Sequence, residues 1–166
     1  EQWIVYPFGF GLSYHTWSYA WRSPAHTSGN KASSGAAGWE GCSLALSVAL
    51  DSQKGADPST AVLLFFRPPN GDEAGLSPRK ELRRFERVGP SAHLQFDFAQ
   101  KDFSLADEDG VFRVTTGTWL AEVGSPAVLL PQAIQVTDAG CQVLGVGEDN
   151  GKGIEVAAGG AGVIIP

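Results

Sequence analysis

Large apolar residues in this chain recur mainly at every second position. Leu44, Leu46, Val48 and Leu50 are separated by Ala45, Ser47 and Ala49. Leu94, Phe96 and Phe98 alternate with His93, Gln95 and Asp97, and Trp119, Ala121 and Val123 alternate with Thr118, Leu120 and Glu122. A period of two is that of a strand with one face buried. Ala61 to Phe66 is apolar throughout, which predicts a central strand covered on both faces. Leu12 to Trp21, rich in Tyr, Trp and Thr, predicts a first strand. Val111 to Val114 follows Asp109-Gly110 and reads as the second arm of a hairpin. Ile134 with Val136, and Cys141 with Val143, predict two further short strands.

Turn-forming residues separate these runs. Ser23 to Gly38 is rich in Ser, Gly and Ala and predicts a long loop over 23–38. Gly55 and Pro58 break the chain after Leu50, and Pro68-Pro69-Asn70-Gly71 opens a loop that lasts to Pro78. Arg79 to Val88 fits two structures. Ser77-Pro78 makes a helix start, with Leu82 and Phe85 on one face, whereas a strand would set them on opposite faces. About seven short strands joined by polar turns predict an all-β sandwich of the immunoglobulin or fibronectin type III kind. The sandwich is expected over residues 1–125, with 126–166 a C-terminal extension carrying short strands and a Gly-rich tail.

Composition sharpens this reading. The chain has 166 residues, the size of one domain with a substantial core. Charged residues are 18 % and glycines number 21, a balance that suits short strands and turns over long solvated helices. The net charge of −6 argues against nucleic acid and anionic membranes as partners. No apolar run has the length of a membrane helix, about 20 residues. Methionine is absent and the sequence starts at Glu1, so a processed chain or a piece of a longer one is expected.

The candidate chemistry is sparse. Gly145 to Gly153 has the look of a phosphate loop, but Val146 replaces a required glycine and Gly153 follows Lys152 where Ser or Thr is needed. Asp107-Glu108-Asp109-Gly110 is a dense acidic turn. It lacks the spaced oxygens and closing glutamate of a calcium loop, and no apolar pocket separates its carboxyl pKa values for acid–base work. Arg79, Lys80, Arg83, Arg84 and Arg87 interleave with Glu81 and Glu86, as on a salt-bridged sheet face. Three scattered histidines and two cysteines make no metal site, and no cofactor motif is present. Cys42 and Cys141 admit two readings, a disulfide in an oxidising compartment or two buried thiols.

The N-terminal stretch is different. Trp3, Tyr6, Phe8, Phe10, Tyr14, Trp17, Tyr19 and Trp21 crowd into it, with Gly9 and Gly11 between. Such rings pack a core, anchor an interface, or stack on sugars. Tyr6, Phe8, Phe10 and Tyr14 are the candidate residues for interface or sugar contact.

Tyr6-Pro7-Phe8-Gly9-Phe10-Gly11-Leu12-Ser13-Tyr14 closely resembles the opening of the C-terminal fibronectin type III-like domain of family-3 glycoside hydrolases, the β-glucosidases and β-xylosidases. Ala61 to Pro69, Arg79 to Val88, Leu94 to Leu105 and Asp107 to Val123 resemble further blocks of that domain, in the same order. Arg67-Pro68-Pro69 and Ala106 to Gly110 resemble the β-xylosidase branch. The resemblance covers roughly residues 3–125 and implies that Arg79 to Val88 is a strand. The 23–38 loop and the stretch after Ser125 exceed the family pattern.

In that family the nucleophilic aspartate and the acid/base carboxylate belong to two upstream domains. The resemblance therefore implies no catalytic residue in this chain. It implies a non-catalytic accessory domain of a secreted glycosidase acting on cell-wall polysaccharide, in the extracellular space or cell wall. Its partners would be the upstream catalytic domains, other copies of itself, or polysaccharide. The alternative is a stand-alone structural module, such as a filament subunit built by strand exchange. The tail, ending Gly162-Val163-Ile164-Ile165-Pro166, supplies apolar residues for docking on its own domain or on a neighbour's edge strand.

Overall fold

The alternating runs fold as ten strands in a computed structural model that describes residues 15–22, 38–50, 58–69, 78–124, 128–129 and 131–144. β1 (Trp17–Arg22), β2 (Cys42–Leu50) and β5 (Ser91–Phe98) form a three-stranded antiparallel sheet in the order β1-β2-β5. β3 (Thr60–Arg67), β4 (Glu81–Val88), β8 (Gly117–Val123), β9 (Gln132–Thr137) and β10 (Gly140–Val143) form a five-stranded sheet in the order β10-β9-β8-β3-β4. A short 3-10 turn, Gln100–Phe103, leads into the small hairpin β6 (Ser104–Ala106) and β7 (Phe112–Val114).

The two large sheets bury their facing sides against each other, which makes the fold an all-β sandwich. Leu44, Leu46 and Val48 of β2 and Phe96 and Phe98 of β5 come from one sheet. Val62, Leu64 and Phe66 of β3, Trp119 and Val123 of β8, and Ile134 and Val136 of β9 come from the other. Period-two alternation places each set on one face. The centre is aromatic: Phe66 lies 4.8 Å from Phe98 and 5.3 Å from Phe103, and Phe103 meets Trp119 edge-on at 5.5 Å. Two of the buried indole N–H groups donate to backbone carbonyls, Trp119 to Thr115 O at 2.9 Å and Trp39 to Thr137 O at 3.2 Å.

β3 has both faces covered, since Leu63 and Phe65 on its other side are also buried. Arg79 to Val88 forms a strand from Glu81 and not a helix. Leu82 and Phe85 nevertheless lie on one side, because the register slips by one residue between Leu64 and Phe65. Such a bulge resets which residues share a face. The two short strands expected after residue 125 are β9 and β10, and they extend the larger sheet through β8.

Both lateral openings between the sheets are bridged. On one side Cys42 of β2 and Cys141 of β10 form a disulfide with Cα atoms 5.5 Å apart. Beside it, Glu40 N–H donates to Ala139 O at 2.8 Å and Cys141 N–H to Glu40 O at 2.9 Å. On the other side Arg84 of β4 reaches β5 and the turn that follows it. Its guanidinium pairs with Asp102 at 2.9 Å, donates to Asp97 O at 3.2 Å and lies 5.2 Å from the Phe98 ring centre.

Candidate functional site

Among the described residues, two sheet faces and one hairpin present side chains for contact, and they differ in chemistry. The outer face of the three-stranded sheet is polar. Ser43 donates to the Asp97 carboxylate at 2.6 Å, and Gln95 donates to the same oxygen at 3.1 Å. These two bonds, with the nearby Arg84 charge, hold the Asp97 carboxyl below the usual carboxylate range. Ser47 Oγ lies 3.0 Å from His93 Nδ1 and accepts from Arg22 at 3.1 Å. All of these contacts are exposed, on an open sheet surface.

The outer face of the five-stranded sheet is apolar and ionic. The register sets Phe85 opposite Leu63, and Leu82 opposite Phe65. Opposed residues on neighbouring strands point to the same side. Leu63 and Phe65 are buried, while Phe85 is 71 % and Leu82 41 % exposed. Beyond them, Glu122 sits opposite Phe65 on the β8 side and is buried. Its carboxylate receives Arg67 at 2.7 Å and Lys80 at 3.5 Å. The Lys80 ammonium also lies 4.9 Å from the centre of the Phe65 ring. Arg87, opposite Ala61, hydrogen-bonds Ser59 at 2.7 Å.

The acidic turn is self-contained. Asp107 accepts from the N–H groups of Asp109 at 3.1 Å and Val111 at 2.8 Å, and from Arg113 Nε at 2.6 Å. The Arg113 bond first, then the backbone bonds, lower the Asp107 carboxyl below its ordinary range. Gly110, with φ of 77°, takes the left-handed position of the turn. Phe112 projects from this hairpin into solvent.

The buried carboxylates Asp102 and Glu122 are both held in ion pairs with cations. Among the described residues no cluster of three or more His, Cys, Asp or Glu side chains is arranged to hold a metal, and no helix is long and apolar enough to cross a membrane. Tyr6, Phe8, Phe10 and Tyr14 lie outside the described residues, as do 145–153 and 154–166. Cys42 and Cys141 are brought together and bonded. The Arg67–Glu122–Lys80 group has no local signature, because its members sit on β8, on β3 and just before β4, and meet only through strand pairing. The alternation of Glu122 with Ala121 and Val123 marks it as facing away from the core.

The sandwich defines the chain as a β-sandwich domain of fibronectin type III character. No family model matches it. The chain is 30 % identical over 142 residues to a protein of Arabidopsis thaliana described as "Probable beta-D-xylosidase 7", a match covering 72 % of the chain and 18 % of that protein. Its structure superposes on a β-glucosidase of Kluyveromyces marxianus with a TM-score of 0.63 at 25 % identity, over 86 % of the chain and 16 % of the enzyme. It superposes on a β-D-glucoside glucohydrolase of Trichoderma reesei with a TM-score of 0.59 at 23 % identity, over 80 % of the chain and 20 % of that enzyme, a likeness of fold. The chain thus spans about a fifth or less of the length of these proteins. It matches the C-terminal domain of a family-3 glycoside hydrolase.

Proposed function

We propose that the chain serves as a non-catalytic accessory domain of a secreted family-3-type glycosidase acting on cell-wall polysaccharide. The observation that carries this reading is the pairing of an internally packed sandwich with coverage of only 16–20 % of the solved relatives. A domain of that share leaves the greater part of the relatives' chains outside it. The described carboxylates support the same view, since the two buried ones are engaged by arginine and lysine. The Cys42–Cys141 disulfide favours an oxidising compartment, which supports secretion.

The test has two parts. Intact mass and N-terminal sequencing of the native protein should reveal a polypeptide several times longer than this chain, with glycosidase domains ahead of it. The purified 166-residue chain should leave aryl xylosides and glucosides unhydrolysed. Turnover by the chain alone, abolished by replacing one of its own Asp or Glu residues, would overturn the reading.

A further inference from the structure

β10 is the most weakly rooted strand of the larger sheet. It has four residues, lies at the end of the sheet and, among the strands, pairs only with β9. Among the described residues, no side chain of the buried core comes from it; Cys141 and Val143 pack against that core half-buried. β9 is rooted differently, since it pairs with β8 on its other side and buries Ile134 and Val136. The segment before β2 is rooted as well. Trp39 is buried, stands 6.0 Å from the Phe103 ring and donates its indole N–H to Thr137 O of β9. Its neighbour Glu40 is exposed, and its backbone reaches Ala139 and Cys141 through two hydrogen bonds. The hydrogen bonds that hold β10 thus lie at a sheet edge, where water competes and each contributes little on its own.

The disulfide is a tie of another kind. It joins Cys141 of β10 to Cys42 at the start of β2, in the opposite sheet. We infer that this bond is a redox-sensitive latch on β10: closed, it fixes the strand, and reduced, it lets residues 138–144 peel from β9 while the sandwich stays folded. With the latch closed, a strand that opens is still tethered at Cys141 and re-pairs at high effective concentration. With it open, only edge hydrogen bonds and two half-buried side chains resist departure, a local event that folded proteins undergo without global unfolding. Trp39, β9 and the aromatic centre keep their own packing, and the Arg84–Asp102 pair on the opposite side involves no thiol. A dithiol reductant operates the latch. It gives two electrons and two protons to the S–S bond, leaves as its own disulfide and frees the thiols of Cys42 and Cys141. Residues 145–166 follow β10 in sequence, so the latch also holds the point where they join the sandwich. An oxidising compartment keeps it closed.

The test is hydrogen–deuterium exchange on the 166-residue chain, read by peptide mass spectrometry before and after treatment with dithiothreitol. Iodoacetamide capture in a parallel sample shows whether the bond has opened. The expected result is capture at Cys42 and Cys141 in the folded chain, with exchange over 138–144 faster by about tenfold or more and exchange in β3 and β8 changed by less than about twofold. The Cys42→Ser/Cys141→Ser variant should give that pattern with no reductant present. Unchanged exchange over 138–144 after reduction overturns the latch, since hydrogen bonds then suffice to hold β10. Exchange that rises in β3 and β8 together with β10, or a double variant that does not fold, overturns it as well and makes the bond a staple of the whole sandwich. A bond that resists dithiothreitol in the folded chain overturns its redox sensitivity. None of these outcomes bears on the accessory role.

Discussion

Arg84 and Asp102 form a clasp across one open side of the sandwich, with guanidinium and carboxylate 2.9 Å apart. Asp102 is buried, and it also accepts from the Ala99 N–H at 2.9 Å, which fixes the turn that carries Phe103 into the core. Arg84 belongs to the larger sheet and the turn follows β5 of the smaller, so one ion pair ties the two layers at this edge. Replacing Arg84 by Met keeps most of the stem but strands a buried carboxylate. The expected loss is about 2–4 kcal/mol, given the partial exposure of the arginine. Urea unfolding should show a lower midpoint with an unchanged slope.

Phe103 is fully buried and touches four other aromatic rings, those of Trp39, Phe66, Phe98 and Trp119. Phe103→Ala should cost about 3–5 kcal/mol, because the rigid sheets cannot collapse onto the space. Phe112→Ala, at an exposed position, should change stability by less than about 0.5 kcal/mol. Thermal unfolding of the two variants checks the contrast.

Gly140 admits no side chain. A Cβ there would meet the backbone oxygen of Glu40, and the two segments are held by the Glu40–Ala139 and Cys141–Glu40 hydrogen bonds. Gly140→Ala should loosen this corner and lower the unfolding temperature by several degrees, since about 1 kcal/mol corresponds to 2–8 °C for domains of this range. Gly89→Ala, where a Cβ meets nothing within 4 Å, is the control and should be near neutral.

Asp97 and Asp107 both have folded-state pKa values below the ordinary carboxylate range. A lowered folded pKa contributes stability that is present above the unfolded value, about 3.9, and is lost as pH falls through the folded one. Stability should therefore decline as pH drops below about 5, with the main fall near and below 4. Ser43→Ala removes the largest contributor at Asp97 and should raise its pKa, measured by NMR titration of the carboxyl carbon.

The period-two runs of Leu44 to Leu50, Leu94 to Phe98 and Trp119 to Val123 made their strands and inward faces legible, because burial on one side imposes that spacing. Arg79 to Val88 was ambiguous for a physical reason. Its charges are as well spaced for a helix as for a strand, and only pairing with β3 decides. The bulge that turns Leu82 and Phe85 to one side is a property of two strands together, invisible in either alone. The same holds for Glu122, whose partners are far apart in sequence. The choice between a disulfide and two buried thiols was open because two cysteines 99 residues apart can bond only if the fold brings β2 to β10.

That separation has a consequence for how the molecule responds to proteolysis. The Cys42–Cys141 bond closes a covalent ring containing most of both sheets. A protease that cuts any single peptide bond between residues 42 and 141 opens the ring without releasing a fragment. Core strands remain tethered on both sides of the cut and can stay packed, so a nicked molecule keeps its mass on a non-reducing gel and separates into pieces only when the disulfide is reduced.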